Sequence, residues 1–268
     1  MSNSRHEHIQ EAILNGATPK ALGYTFPAEF AKQDATWLSW PHKEASWPGK
    51  LDSIYPSYIE FIKILTLSQR VCINVVDATM QATATKMMEA LKVDLTKVQF
   101  YIHPTNDAWC RDHGPSFLIR NNKEQPKAIV DWNINAWGGK YPPYDLDDAI
   151  PTHIAKALDL PVFHPNIIME GGSVDFNGAG TVLTSKCCLL NPNRNPHLSQ
   201  DQIERYLCNY YGVEQVLWVS EGIVGDDTDG HIDDTVRFVN EDTVVTVVES
   251  NVLSENHDLL QRNLKELK

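Results

Sequence analysis

The sequence predicts an α/β protein in which one module, a strand, an acidic motif, a hairpin and a helix, recurs around a common centre. Three observations carry that prediction. From residue 98 onward the same order of elements is met three times. Each pass holds an acidic group at the same place, Asp112, then Glu170, then the cluster around His231, with a period of about sixty residues. Each pass also continues into a β-hairpin signal, the clearest being Asn177-Gly178 between two apolar runs. A ring-like array needs a terminal unit to cap or close it. By this rhythm another strand and motif should follow the last helix, so the last module is expected to be missing or incomplete.

Taken in order, residues 1–34 read as a polar lead-in with a short helix over 6–14, and residues 35–268 as a single domain. Ala35–Trp40 reads as a strand stopped by Pro41. A helix is predicted over 52–69, where Ile54, Tyr58, Phe61, Ile62 and Leu65 share one face. Val71–Val76 is nearly all apolar, the pattern of a strand covered on both faces. A second helix follows near 79–91, with its methionines as core filler. The first repeated pass has a strand over 98–104, a hairpin of 116–120 with 128–132 around a polar turn, and a helix over 146–158. The second has a strand at 162–164, a hairpin of 173–176 with 181–190, and a helix from Ser199, whose Gln202 partner completes a capping box. The third has a strand at 215–219, a hairpin of 235–239 with 243–248, and a helix over 255–268.

Composition narrows the function classes. A formal charge of −12 argues against nucleic acid or an anionic membrane as partner and favours a small cation. The five cysteines are odd in number and lack C-x-x-C spacing, so neither a zinc framework nor a disulfide scaffold is expected. Cys72 and Cys187 lie in strand-like runs and read as small core hydrophobes. The polar N-terminus has no apolar leader region, and no run approaches membrane-spanning length, which makes the cytoplasm the default. A homo-oligomer is left open.

The chemistry concentrates in residues 225–238, where Asp226, Asp227, Asp229, Asp233 and Asp234 surround His231. Gly225 and Gly230 allow sharp turns, and the β-branched segment that follows puts His231 and Asp233 at the mouth of a strand, on the same side. Convergent carboxylates suit a guanidinium, because two oxygens meet two parallel N–H groups in one plane. A histidine beside them moves protons near neutral pH. Each residue also has a plainer reading: Asp112 paired with Arg111, Glu170 as turn chemistry before Gly171-Gly172, Trp109 as core. A metal site is the main rival, through His231, Asp233 and Asp234. However, an EF-hand register that uses Gly230 puts Val236 at the bidentate position, and no second well-placed histidine is near.

Four motifs in order, Trp109-Cys-Arg-Asp-His-Gly-Pro115, Glu170-Gly-Gly-Ser-Val-Asp-Phe-Asn-Gly-Ala-Gly-Thr181, Cys188-Leu-Leu-Asn-Pro-Asn-Arg-Asn-Pro196 and Asp227-Thr-Asp-Gly-His-Ile-Asp233, resemble the agmatine deiminases within the bacterial peptidyl-arginine deiminase-like family. The opening Pro27-Ala-Glu-Phe and Thr36-Trp-Leu-Ser-Trp-Pro41 fit as well, and the likeness runs from about residue 19 to the end. The resemblance implies a pentein fold, a five-bladed α/β propeller with pseudo-fivefold symmetry and its site on the axis. It implies hydrolysis of agmatine to N-carbamoylputrescine and ammonia, without metal or cofactor, on a route to putrescine. Asp112 and Asp233 would grip the guanidinium nitrogens, Glu170 would orient the site, and His231 would carry the proton. Trp109 and Asp227 would line the pocket toward the distal amine. The family's nucleophile is a cysteine in a Gly-rich C-terminal motif that forms a thiouronium intermediate. No such motif is present here, and it is expected beyond Lys268. Cys110 should point away from the side used by Asp112. The 268-residue chain alone is therefore expected to be inactive. The alternatives are a peptidyl-arginine or arginine deiminase, a non-catalytic guanidinium or polyamine binder, and a metal-dependent hydrolase.

Overall fold

The protein was analysed as a computed structural model that describes residues 3–121 and 124–268. Met1-Ser2 and the middle of the polar turn expected after residue 120 lie outside the described residues. After helix α1 (Asn3–Leu14), strands β1 (Ala35–Ser39), β2 (Arg70–Val75) and β3 (Val98–Ile102) form a parallel sheet in that order. Parallel strands need crossovers. Helices α2 (Leu51–Leu65) and α3 (Ala78–Ala90) supply them and bury Ile59, Ile62, Ala84 and Met88 with Val71, Ile73 and Val75 of β2. The apolar run of β2 is thus covered as its composition requires. Asp77 caps α3 by accepting from the Met80 amide.

Next comes a single helical turn, α4 (Cys110–His113), and then the antiparallel pair β4 (Ser116–Ile119) and β5 (Lys127–Val130). A tight turn, α5 (Ala136–Gly139), and helices α6 (Asp145–Asp148) and α7 (Ile150–Leu158) lead to β6 (Val162–Phe163), which pairs parallel to β5. The second pass repeats this. A 3-10 turn (Gly171–Ser173) precedes the hairpin β7 (Val174–Phe176) and β8 (Thr181–Ser185). Then follow α8 (Lys186–Leu189), α9 (Gln200–Tyr211) and β9 (Gln215–Val219), which pairs parallel to β8. A 3-10 turn (Ile232–Asp234) opens the last pass, with the hairpin β10 (Val236–Phe238) and β11 (Val244–Thr246), then α10 (His257–Glu266). The largest core cluster joins the second and third sheets through Leu118, Val130, Phe163, Val182, Leu207 and Tyr211, and Tyr24 of the N-terminal segment is fully buried among them.

The elements match the expected order, but the module boundary moves. The strand that precedes each motif belongs to the sheet before it, because hairpin, helix and returning strand form one β-α-β unit. The acidic motifs therefore sit on the connections between successive sheets. Two local expectations also change. The helix predicted over 146–158 breaks at Ala149, since Pro151 cannot donate within a helix and starts a new one. The strand predicted through Leu190 stops at Ser185, whose hydroxyl caps α8 by accepting from the Cys188 amide. Cys187 is accordingly on a helical turn, not a strand.

Candidate active site

The Asp112 side of the site is built on a reciprocal clasp. Backbone N–H groups of Asn106 and Asp107 donate to Asp147 Oδ1 at 2.7 and 3.2 Å. Those of Leu146 and Asp147 donate to Asn106 Oδ1 at 2.8 and 3.2 Å. The clasp fixes the loop before α4, which carries Trp109 and Asp112. Trp109 is 40% exposed at the rim, stacked on Trp47 and edge-on to Trp137. Behind it opens a narrow cleft lined in part by Asp112, Trp137, Tyr141, Tyr144 and Glu170.

Asp112 has few partners for its depth. Its Oδ1 accepts from the Gly172 amide at 3.1 Å and its Oδ2 from the Trp137 indole at 3.2 Å. Burial first, then the charges of Glu170 and Asp233, push its carboxyl up to about 7. Arg111 does not pair with it. That guanidinium instead reaches Glu29 at 2.9 Å and Asp233 at 3.3 Å. Gly172 is required here by close approach: a Cβ would stand 2.3 Å from His231 Nδ1 and 2.8 Å from Asp112 Oδ1. Trp137 is held at φ 56, a left-handed conformation uncommon for an aromatic residue, which aims its indole N–H at Asp112.

His231 and Asp233 do share a side, but not because they open a strand. They bracket the 3-10 turn that precedes β10. The turn exists because Asp226 accepts from the Thr228 and Gly230 amides, while the Thr228 hydroxyl accepts from the His231 amide. His231 Nδ1 lies 3.6 Å from Asp112 Oδ1 and 3.9 Å from Asp233 Oδ1, and its Nε2 is buried without a partner. Burial drives its ring down to about 4, with Arg194 and Arg111 adding to the effect and Asp226 opposing it. Burial likewise pushes Asp233 up to about 6, against the pull of Arg111.

Glu170, only 1% exposed, is held differently. The wholly buried Arg194 donates through Nε to Glu170 Oε1 and through Nη1 to Asp229 Oδ2, both at 2.7 Å. Its Nη2 donates to the Thr228 carbonyl at 2.8 Å, so one guanidinium ties the second motif to the third. Burial pushes Glu170 up and Arg194 pulls it back. Burial also opposes the Asp229 charge, yet bonds from Lys140, Asn193 and Arg194 bring that carboxyl down to about 2.

Asp112, Glu170, His231 and Asp233 are therefore brought together, with Trp109 at the rim. Asp227 is placed less directly: its carboxylate accepts from the Tyr141 hydroxyl, and it is Tyr141 that lines the cleft. Sequence reasoning missed Trp137 and Tyr141, for which the Gly138-Gly139 pair after Trp137 was the available signal. It also left Arg194 without a role, although the residue lies inside a quoted motif. Among the described residues, the cluster with metal-ligand spacing is Glu170, Cys188 and His231, not His231 with Asp233 and Asp234.

Comparison with known proteins gives the family. Residues 25–268 match the family of Porphyromonas-type peptidyl-arginine deiminases. A Legionella pneumophila (strain Paris) protein provisionally named agmatine deiminase is 39% identical over 251 residues, spanning 93% of this chain and 70% of its own length. The agmatine deiminase of Enterococcus faecalis, solved catalysing its reaction, superposes with a TM-score of 0.85 at 32% identity, covering 94% of this chain and 68% of that one. A substrate-bound C. jejuni agmatine deiminase gives a TM-score of 0.81 at 34% identity, covering 91% and 70%. The architecture is thus the pentein α/β fold shared with agmatine deiminases. With nearly its whole length matched and relatives this similar, the chain belongs to the Porphyromonas-type peptidyl-arginine deiminase family.

Proposed function

We propose that the site binds agmatine and belongs to the hydrolysis of its guanidine group to N-carbamoylputrescine and ammonia, a step toward putrescine. The observation that carries this reading is the pair of largely buried carboxylates, Asp112 and Asp233, that approach the same nitrogen of His231 and are both raised in pKa; Arg111 reaches Asp233 but does not pair with Asp112. A bound guanidinium supplies the missing charge and the N–H groups, and favours ionisation of both. Glu170 orients the site from below. His231 is neutral in the empty site and stays neutral while agmatine binds. In the reaction an attacking thiol would pass its proton to His231 as its sulfur bonds the guanidinium carbon; His231 would give that proton to the departing ammonia and later take one from the water that displaces the sulfur.

Agmatine is favoured over arginine because the cations that could hold a substrate carboxylate are committed. Arg194 is saturated, and Arg237 pairs with Asp175 and Glu29. Lys43, the one lysine or arginine lining the cleft among the described residues, sits 3.6 Å from Asp107. The Tyr141–Asp227 pair at the rim suits a distal amine. No helix among the described residues is long and apolar enough to cross a membrane. Five free thiols suit a reducing compartment such as the cytoplasm.

The reaction needs a thiolate. Burial raises all five thiols: Cys110 is pushed up to about 12 and Cys188 well above the ordinary value, with Cys72, Cys187 and Cys208 also raised. We therefore propose that residues 1–268 bind agmatine without turning it over. Calorimetry with agmatine and arginine, run beside an ammonia assay, tests this. The expected result is agmatine binding, weaker arginine binding and no ammonia. Recovery of N-carbamoylputrescine from this chain would overturn the second part, and preference for arginine the first.

A further inference from the structure

We infer that Glu170, Cys188 and His231 form a buried binding site for a borderline-soft divalent ion such as Zn2+, on the face of His231 turned away from the two aspartates. The three residues each offer a ligand atom, and these atoms lie within 4.8 Å of one another. All three side chains are buried, to 1%, 0% and 4% exposure respectively. Two of these residues also carry an atom without a partner: Glu170 Oε2 and His231 Nε2 are both buried without a hydrogen bond. Buried polar atoms are rarely left so, and two beside a thiol call for a ligand.

The surroundings fit what a metal-bound histidine needs. Such a ring donates its other N–H to a carboxylate, which fixes the tautomer. Here Nδ1 faces Asp112 and Asp233, leaving the Nε2 lone pair free. Glu170 is likewise braced, its Oε1 held by Arg194 while Oε2 is open. Cys188 is set in place by the Ser185 cap of α8. One nitrogen, one sulfur and one oxygen form a zinc-type donor set with a fourth position open. Tetrahedral bonding would bring the donors to roughly 3.5 Å apart, so each moves by about 1 Å or less. On binding, the Cys188 S–H bond breaks, a sulfur–metal bond forms and the proton leaves to solvent. Glutamate and thiolate are the anionic ligands, Glu170 remaining paired with Arg194, and no oxidation state changes. Glu170 also lines the cleft.

Metal binding does not depend on the proposed reaction. Its consequence does: an ion on Nε2 would hold His231 out of proton transfer and oppose a guanidinium beside it. The test uses the 268-residue chain with Zn2+ by calorimetry and Co2+ by absorption, together with Cys188→Ala, Cys188→Ser and the neighbouring Cys187→Ala. A thiolate-to-cobalt band is expected in the unmodified chain and in Cys187→Ala. Loss of one ligand should weaken Zn2+ by more than about a hundredfold, beyond the cost of losing an outer-shell partner. Comparing both Cys188 variants, with far-ultraviolet circular dichroism on each, separates ligand loss from misfolding. Absence of the cobalt band from the unmodified chain, or equal Zn2+ affinity in folded Cys188→Ala, would overturn the site. Should Zn2+ bind through Cys188 while agmatine never binds, the metal site stands and the guanidine reading fails.

Discussion

Two carboxylates stand in corresponding motifs, Glu170 fully buried and Asp112 largely so, yet the fold treats them in opposite ways. Glu170 is met by Arg194, a buried guanidinium that also holds Asp229 and the Thr228 carbonyl. Among the described residues Asp112 accepts hydrogen bonds from a backbone amide and an indole, and burial pushes its carboxyl up to about 7. The first arrangement is internally balanced and gives the site its shape. The second is left short of a positive charge, which is the condition for binding one from outside. Arg194 shows what the Asp112 side lacks, since a guanidinium in the protein does for Glu170 what agmatine would do for Asp112.

Breaking the balanced side should cost most. Arg194→Met leaves Glu170 buried without its partner, and unfolding in urea should show a loss of about 3–5 kcal/mol. Arg194→Lys should recover part of that but not the bond pattern, because an ammonium cannot reach Glu170, Asp229 and Thr228 together in one plane. The unbalanced side should respond in two directions. Asp112→Asn is expected to abolish measurable agmatine binding yet stabilise the empty protein at pH 8.

The sign follows from burial. The folded pKa of Asp112 exceeds its unfolded value, so the native state holds more protons between about pH 4 and 7 and loses stability as pH rises through that window. Removing the charge should raise Tm at pH 8 on the order of 2–4 °C per kcal/mol released. At pH 4, where the carboxyl is already protonated, the gain should vanish.

Gly172→Ala tests the contact between the two sides. Its Cβ would collide with His231 and Asp112, so agmatine binding should be lost while far-ultraviolet circular dichroism stays native. The smallest effect is expected from Trp137→Phe, which removes one hydrogen bond to Asp112. A net loss of about 1 kcal/mol corresponds to agmatine affinity weaker by roughly fivefold. An unchanged affinity would mean that the indole does not support the ionised carboxylate.

Much of this was legible in the residues. The apolar run of β2, the Ser199–Gln202 capping box and the Asn177-Gly178 turn depend on local rules, and each is found where those rules put it. What local rules could not supply was the phase of the repeat. A strand between a helix and a motif can pair backward or forward, and only tertiary pairing shows that β6 and β9 close the preceding sheets. The side of His231 was read correctly for the wrong reason, because a turn organised by Asp226 imitates the i and i+2 relation of a strand. Arg194 escaped assignment because its partners are 24 and 35 residues away along the chain. Trp137 escaped because its indole reaches Asp112 only through a left-handed backbone that its side chain does not favour.

Titration of agmatine into the 268-residue chain by calorimetry at pH 6 and pH 8 bears most directly on the unbalanced pair. With Asp112 near 7 and Asp233 near 6 in the empty site, a guanidinium must displace protons at pH 6 that are largely gone at pH 8. Affinity should therefore rise across that interval, with proton release on binding at the lower pH. Equal affinity at both values, with no proton released, would contradict the assignment of these two carboxylates as the cation clamp.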